Sequence, residues 1–273
     1  MAVTLTRKIG FSSGHRYWRD DWDEATNRAQ FGHWASPFNH GHNYVLWVSA
    51  KGEVDHSNGM VVNIKWIDDV LKERVIRPFD QKSLNDEVPA LEGVVPSLEN
   101  LLIHLKTTLA DLPGEVILTE LKLEETPLLY AEWEHTTDMI TLTRVYEFAA
   151  SHRLHVEALG HDENVRLFGK CNHVHGHGHN YVLEVTVHAP INPQTGMSVS
   201  IDDLDSVVDR EILERYDHRN LDLDIEELSG KNTTSEIVAQ AIFDRLLGQV
   251  PGSLKRVRLF ETARKVFEVT ACA

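Results

Sequence analysis

His177-Gly-His-Asn-Tyr-Val-Leu183 repeats, residue for residue, His40-Gly-His-Asn-Tyr-Val-Leu46. Thr141-Leu-Thr-Arg144 repeats Thr4-Leu-Thr-Arg7 at the same offset of 137 (177 − 40 and 141 − 4). The offset also pairs Phe11 with Phe148, His15 with His152, Gly59-Met60 with Gly196-Met197, Ile64 with Ile201 and Asp80 with Asp217. A gapless register over that span marks a tandem duplication, read here as modules 1–136 and 137–273. Toward the end of each copy the offset slips by one, so that Glu125-Thr126 meets Glu261-Thr262, as a one-residue change in a surface turn would produce. No Pro/Gly/Ser linker separates the copies, which predicts modules packed closely together.

Each copy carries the same order of elements. In the second, an alternating segment from Val145 to Ala150 precedes a long polar loop, and a strand-like run from Asn180 to His188 follows it. A helix is expected over Ile201–Tyr216, with Leu204, Val207, Val208 and Ile212 on one face and Asp202 and Asp203 in the first turn. A second helix starts at Thr233 or Thr234 as cap, with Glu236 close behind, and runs to about Leu247. The stretch from Lys255 to Val269 reads as strand. The expected class is α+β, each module a mostly antiparallel sheet with two helices covering one face.

The chain has 273 residues, 42% of them hydrophobic, a formal net charge of −15 and two cysteines, Cys171 and Cys272. Two thiols make no disulfide framework, and neither a signal sequence nor an apolar run long enough for a bilayer is present, so a cytoplasmic protein is expected. The acidic balance, without a basic tract, argues against nucleic acid and anionic membrane as partners. It leaves room for a small anionic substrate in a locally basic pocket.

Sixteen histidines are present, and seven of them (His152, His155, His161, His173, His175, His177 and His179) fall in one short stretch. Alternation on a strand points His177 and His179 to one face, and His152, at the end of the preceding strand, can join them from a neighbouring strand. Three neutral imidazoles with an open fourth position describe a catalytic zinc site. A lone H-x-H is commonly no more than a polar strand face. Here His15, His40 and His42 reproduce the set at the same spacing, so one zinc per module is expected.

Several motifs then carry a family likeness: Phe148 to Leu154, Phe168 to Tyr181, Tyr216 to Asp222, Asn232 to Glu236 and Phe260 to Thr262. In that order they resemble the successive motifs of 6-pyruvoyl-tetrahydropterin synthases. The resemblance implies a tunnelling fold, with four-stranded modules joining three at a time into twelve-stranded barrels that stack in pairs. For two-module chains this implies a homotrimer. It further implies zinc-dependent conversion of 7,8-dihydroneopterin triphosphate to 6-pyruvoyl-tetrahydropterin with loss of triphosphate. By the same likeness His152, His177 and His179 hold zinc, Cys171, Asp217 and His218 move protons, and Glu261 anchors the pterin ring. Thr233, Thr234 and, in the first copy, Glu125 are further substrate contacts. A thiolate is a competent base, a buried Asp217 can orient His218, and Glu261 can accept two hydrogen bonds from a pterin edge. Lys170, Arg153 and Arg219 are candidates for the anionic tail.

The first copy keeps its histidines, Asp80 and Glu125, but places Trp34 opposite Cys171 and Gln81 opposite His218. Neither can move a proton in this chemistry, so the first module is expected to scaffold the assembly, or to bind a ligand of its own. The related 6-carboxytetrahydropterin synthases typically have C-x3-H-G-H where this family branch has C-x5-H-G-H, and Cys171 satisfies both spacings. The repeat selects His177 and His179, because Phe38 stands where His175 does, and so favours the pyruvoyl reaction. A non-catalytic zinc- or pterin-binding assembly is the contrasting reading, supported by the altered first copy.

Overall fold

A computed structural model describes residues 2–271; Cys272, to which the sequence gives no role, lies outside them. The chain forms two compact units. One runs to Thr143 and takes in His188–Ser200, and the other comprises Arg144–Val187 and the chain from Ile201 onward. No helix among the described residues is long and apolar enough to cross a membrane.

In the first unit β1 (Ala2–His15), β2 (His40–Glu53), β4 (Ile117–Thr126) and β5 (Leu129–Glu134) form an antiparallel ladder in that order, and the two-residue β3 (Lys82–Ser83) lies parallel to β1. The register sets His15 opposite His40 and Ser13 opposite His42. The second unit takes β6 (Met139–His152) from Arg144 onward and β7 (His177–His188) up to Val187, and these with β9 (Ser253–Thr262) and β10 (Lys265–Thr270) follow the same order, while β8 (Arg219–Asn220) lies parallel to β6. Each unit thus adds a short parallel strand to the four expected antiparallel ones. The final stretch, read as one strand, is the β9–β10 hairpin.

The core lies between sheet and helices. Tyr181, Leu183, Val185 and Val187 alternate inward along β7, as a half-buried strand requires. The helix expected over Ile201–Tyr216 is α6 (Ile201–Val208), a π turn (Asp209–Leu213) and α7 (Glu214–Tyr216). Leu204, Val208, Ile212 and Tyr216 are fully buried, while Val207 lies on the flank. A strict four-residue repeat drifts by about 40° per step on a 3.6-residue helix, and one wide turn brings the stripe back onto the sheet. The first unit does the same with Ile67, Leu71, Val75 and Phe79 over α2 (Ile64–Leu71), a π turn (Lys72–Ile76) and α3 (Arg77–Phe79).

The second helix of each unit, α4 (Leu98–Thr108) and α8 (Ser235–Leu246), buries leucines and other apolar residues against the sheet. Thr234 takes the cap position of α8, but its side chain makes no cap hydrogen bond. The polar loops also contain helices that the sequence did not announce, α1 (Glu24–Phe31) and α5 (His161–Phe168). They have no apolar stripe to betray them. A buried asparagine pins each one: Asn164 Oδ1 accepts from the Val156 N–H, and its Nδ2 donates to the carbonyls of Val156, Leu159 and Gly160.

Candidate metal centre and active site

The end of β6 and the start of β7 bring His152, His177 and His179 together, with ring centroids 4.7, 4.9 and 5.3 Å apart. His15, His40 and His42 do the same in the first unit, at 4.5, 4.9 and 5.1 Å. In each triad one nitrogen per ring lies within 4.8 Å of the other two. His175 instead sits exposed beside His173, so the shorter of the two sequence registers finds no cluster.

The hydrogen bonds around the rings fit a metal. His152 Nδ1 is 2.7 Å from the Thr233 carbonyl oxygen and His15 Nδ1 is 3.0 Å from that of Pro96. A carbonyl only accepts, so the proton is on Nδ1 and the Nε2 lone pair is left to point inward. The Nε2 atoms of His15, His42, His152 and His179 are all buried without a hydrogen-bond partner. Burial, with the neighbouring His40, takes His15 down to about 3 and His42 to about 4. Burial also lowers His40, His177 and His179. Lowering of this kind favours the neutral form of His15, His40, His42, His177 and His179, the state that ligates.

A carboxylate adjoins each triad. Glu261 Oε1 is 3.7 Å from His179 Nε2 and 4.0 Å from His152 Nε2. Glu125 stands 3.5 Å from His42 Nε2 and 3.7 Å from His15 Nε2. Sequence reasoning missed what holds Glu261, namely Ser235 Oγ, donating at 3.0 Å to Oε1, and Lys265 Nζ, donating at 2.6 Å to Oε2. Burial pushes Glu261 up, but these two bonds outweigh it and leave the carboxyl below its ordinary range. The first module has Leu98 and Leu129 in the corresponding places, so its Glu125 lacks this clamp.

Asp217 and His218 follow α7. Asp217 Oδ1 accepts from the Ala149 N–H at 2.7 Å and Oδ2 lies 2.8 Å from His218 Nδ1, and these bonds hold Asp217 below the usual carboxylate range. The pair is not buried as expected: the two side chains are 39% and 83% exposed. His218 occupies a left-handed backbone position, φ 57°, and so does its counterpart Gln81, φ 59°. This turn opens a cavity of about 480 Å³ that His218 lines together with His179, Ser151 and Arg219. The same turn in the first unit presents Gln81 to a cavity lined by His42.

Cys171 is half-buried on the short turn Gly169–Asn172. Thr233 is fully buried, its hydroxyl donating to Asp222 Oδ1 at 2.6 Å, and its carbonyl holds His152, so it positions one ring of the triad. Thr234 is half-buried beside it.

A model of the 6-pyruvoyl tetrahydropterin synthase family matches residues 4–136 and again residues 141–272. The 6-pyruvoyl tetrahydrobiopterin synthase of Drosophila melanogaster is 42% identical over 127 residues, which is 46% of this chain and 76% of that protein. The protein of the same name from Homo sapiens is 42% identical over 126 residues, 46% of this chain and 87% of that protein. The solved 6-pyruvoyl tetrahydropterin synthase of Caenorhabditis elegans is 38% identical and covers 49% of this chain and 96% of its own, with a TM-score of 0.47.

Proposed function

The chain belongs to the 6-pyruvoyl tetrahydropterin synthase family, and we propose that residues 137–273 are a zinc-dependent, cytoplasmic lyase that converts 7,8-dihydroneopterin triphosphate to 6-pyruvoyl-tetrahydropterin with loss of triphosphate. The observation that carries this reading is one cavity lined both by His179 of the histidine triad and by His218, whose Nδ1 lies 2.8 Å from Asp217 Oδ2. His152, His177 and His179 would hold the zinc, which when bound supplies a positive charge against oxygens that become negative as a side-chain proton leaves. Cys171 takes that proton. His218, oriented by Asp217, exchanges protons with the substrate side chain on the cavity side. Glu261 receives the ring edge of the pterin, whose two N–H groups displace the exposed Lys265 amine from Oε2.

Residues 1–136 keep the histidines and Glu125 but not the proton movers, because Gln81 occupies the His218 turn and Trp34 the Cys171 position. We assign this module to scaffolding, with its own zinc. Turnover of dihydroneopterin triphosphate, with the product identified by mass, tests the reading. Cys171→Ala should abolish triphosphate release and keep the zinc, whereas retained turnover would sink the assignment.

The proposed assembly is a homotrimer. Within the first unit the segment His188–Ser200 docks on the start of α4: Ser97 Oγ donates to the Gly196 carbonyl at 2.7 Å, and Glu99 Oε1 accepts from the Ser198 N–H and Oγ–H, each at 2.7 Å. Met197 and Ile201 are buried, but their counterparts Met60 and Ile64 are 44% and 46% exposed. Glu236, counterpart of the buried Glu99, is exposed too. The same docking, made between the Met60 loop of one chain and the α8 start of another, supports a closed ring without free edges.

A further inference from the structure

Three segments of the second unit leave the metal centre and enter one cavity. Arg153 follows ligand His152, Gly176 precedes ligand His177, and Asn232 precedes Thr233, whose carbonyl holds His152. The cavity measures about 660 Å³, and its polar wall comprises Arg153, His155, His175, Lys231 and Asn232. Gly176 has no room for a side chain: its φ is 67°, and a Cβ there would stand 2.6 Å from the His152 carbonyl oxygen.

Arg153 donates Nε to the Asn172 carbonyl at 3.3 Å, and among the described residues no carboxylate pairs with its guanidinium. Asp222 also lines the cavity, but its two oxygens are taken by the Arg153 backbone N–H and the Thr233 hydroxyl. Glu157 stands at the rim of the cavity, its side chain 99% exposed and its Oε1 4.0 Å from His155 Nε2. Lys231 has no ion-pair partner among the described residues.

The first unit contains the same cavity with its charge cancelled. There it measures about 290 Å³, and Arg16, the counterpart of Arg153, is clamped by both oxygens of Asp86 at 2.7 and 2.9 Å and by Asp20 at 3.4 Å. Leu223 stands in the second copy where Asp86 stands in the first, Lys231 where Val94 does, Asn232 where Val95 does, and His155 where Trp18 does. One duplicated cavity has thus lost the Asp86 clamp on its arginine and gained a lysine, an amide and an imidazole beside the histidine triad, together with Asp222 where Asn85 stands.

We propose that this cavity is an oligophosphate subsite, in which the Arg153 guanidinium and Lys231 amine carry the charge and His175 and Asn232 donate further hydrogen bonds. It would receive the phosphate chain of the substrate while the pterin lies at Glu261; that placement rests on the function proposed above, whereas the binding of a free phosphate chain does not. Leu223→Asp is the discriminating variant. Leu223 is 82% exposed, so the change costs no core packing, and it rebuilds the first unit's clamp without deleting an atom of the site. Leu223→Asn is its uncharged control.

Calorimetric titration of the full chain with inorganic triphosphate should show binding that Leu223→Asp weakens about tenfold or more, the loss of one charge-assisted contact, and that Leu223→Asn and the wild type share. Lys231→Ala should weaken it as well, and added salt should weaken it in the wild type. Triphosphate affinity unchanged in both Leu223→Asp and Lys231→Ala would overturn the subsite and move the anion to the metal. Steady-state assays separate the two claims. Turnover with an unchanged KM in Leu223→Asp defeats the subsite alone, whereas charge-dependent triphosphate binding without any turnover supports the subsite and defeats the reaction.

Discussion

Replacing Gly176 by alanine should empty the second metal site and leave the first one loaded. At φ 67° an L-residue bears a strain of roughly 1–2 kcal/mol. The added Cβ would stand 2.6 Å from the His152 carbonyl oxygen and 3.1 Å from its carbon. Ordinary contact begins near 3.4 Å, so the two backbones must part by roughly 0.8 Å (3.4 − 2.6). Neither can rotate away, since both belong to segments that carry ligands. Metal–nitrogen distances tolerate about 0.2 Å, so a shift of this size should lower zinc affinity by roughly 100-fold. Strain and overlap together should cost about 3 kcal/mol, which lowers the transition of a unit this size by roughly 12 °C.

Gly178, between the two ligands of β7, supplies the control, because a Cβ there meets the Ala150 carbonyl oxygen at 3.4 Å, an ordinary contact. Elemental analysis after dialysis against a weak chelator, with scanning calorimetry, reads both quantities. Two metals per Gly176→Ala chain and an unchanged transition would refute the claim that this glycine sets the approach of β6 to β7.

Three further outcomes are expected. Wild-type protein should carry about two zinc ions per chain and His15→Ala about one; one metal in the wild type, unaffected by that substitution, would leave only the second site. In chelated protein, His15 folds with a pKa of about 3 against 6.5 unfolded, so the folded state binds fewer protons. Its stabilising effect is complete above pH 6.5 and falls by roughly 1.4 kcal/mol per unit as pH drops toward 3; His15→Leu should flatten that slope in acid titrations, and parallel profiles would contradict it. Light scattering should give three times the chain mass, with Met60→Asp shifting it downward, and a stable wild-type monomer would end the ring model.

The sequence by itself determined the duplication, the order of the long strands and the two main helices of each copy, and both histidine triads. These are legible because a strand alternates with period two and because one pattern occurs twice: His177-Gly-His179 faces one way whatever surrounds it, and His40-Gly-His42 removes chance as an explanation. The exchange of Cys171 for Trp34 and His218 for Gln81 needed only an alignment of the chain with itself. The tertiary structure alone decided what each group bonds to. His152 finds the Thr233 carbonyl 81 residues away, Glu261 finds Ser235 26 residues away, and Arg153 escapes the clamp that Asp86 places on Arg16. Such partners leave no periodic trace, because a single hydrogen bond fixes two residues and not a face. The same holds for α1 and α5, pinned by buried asparagines in place of an apolar stripe, and for Asp217, whose exposure depends on where α7 ends against the sheet.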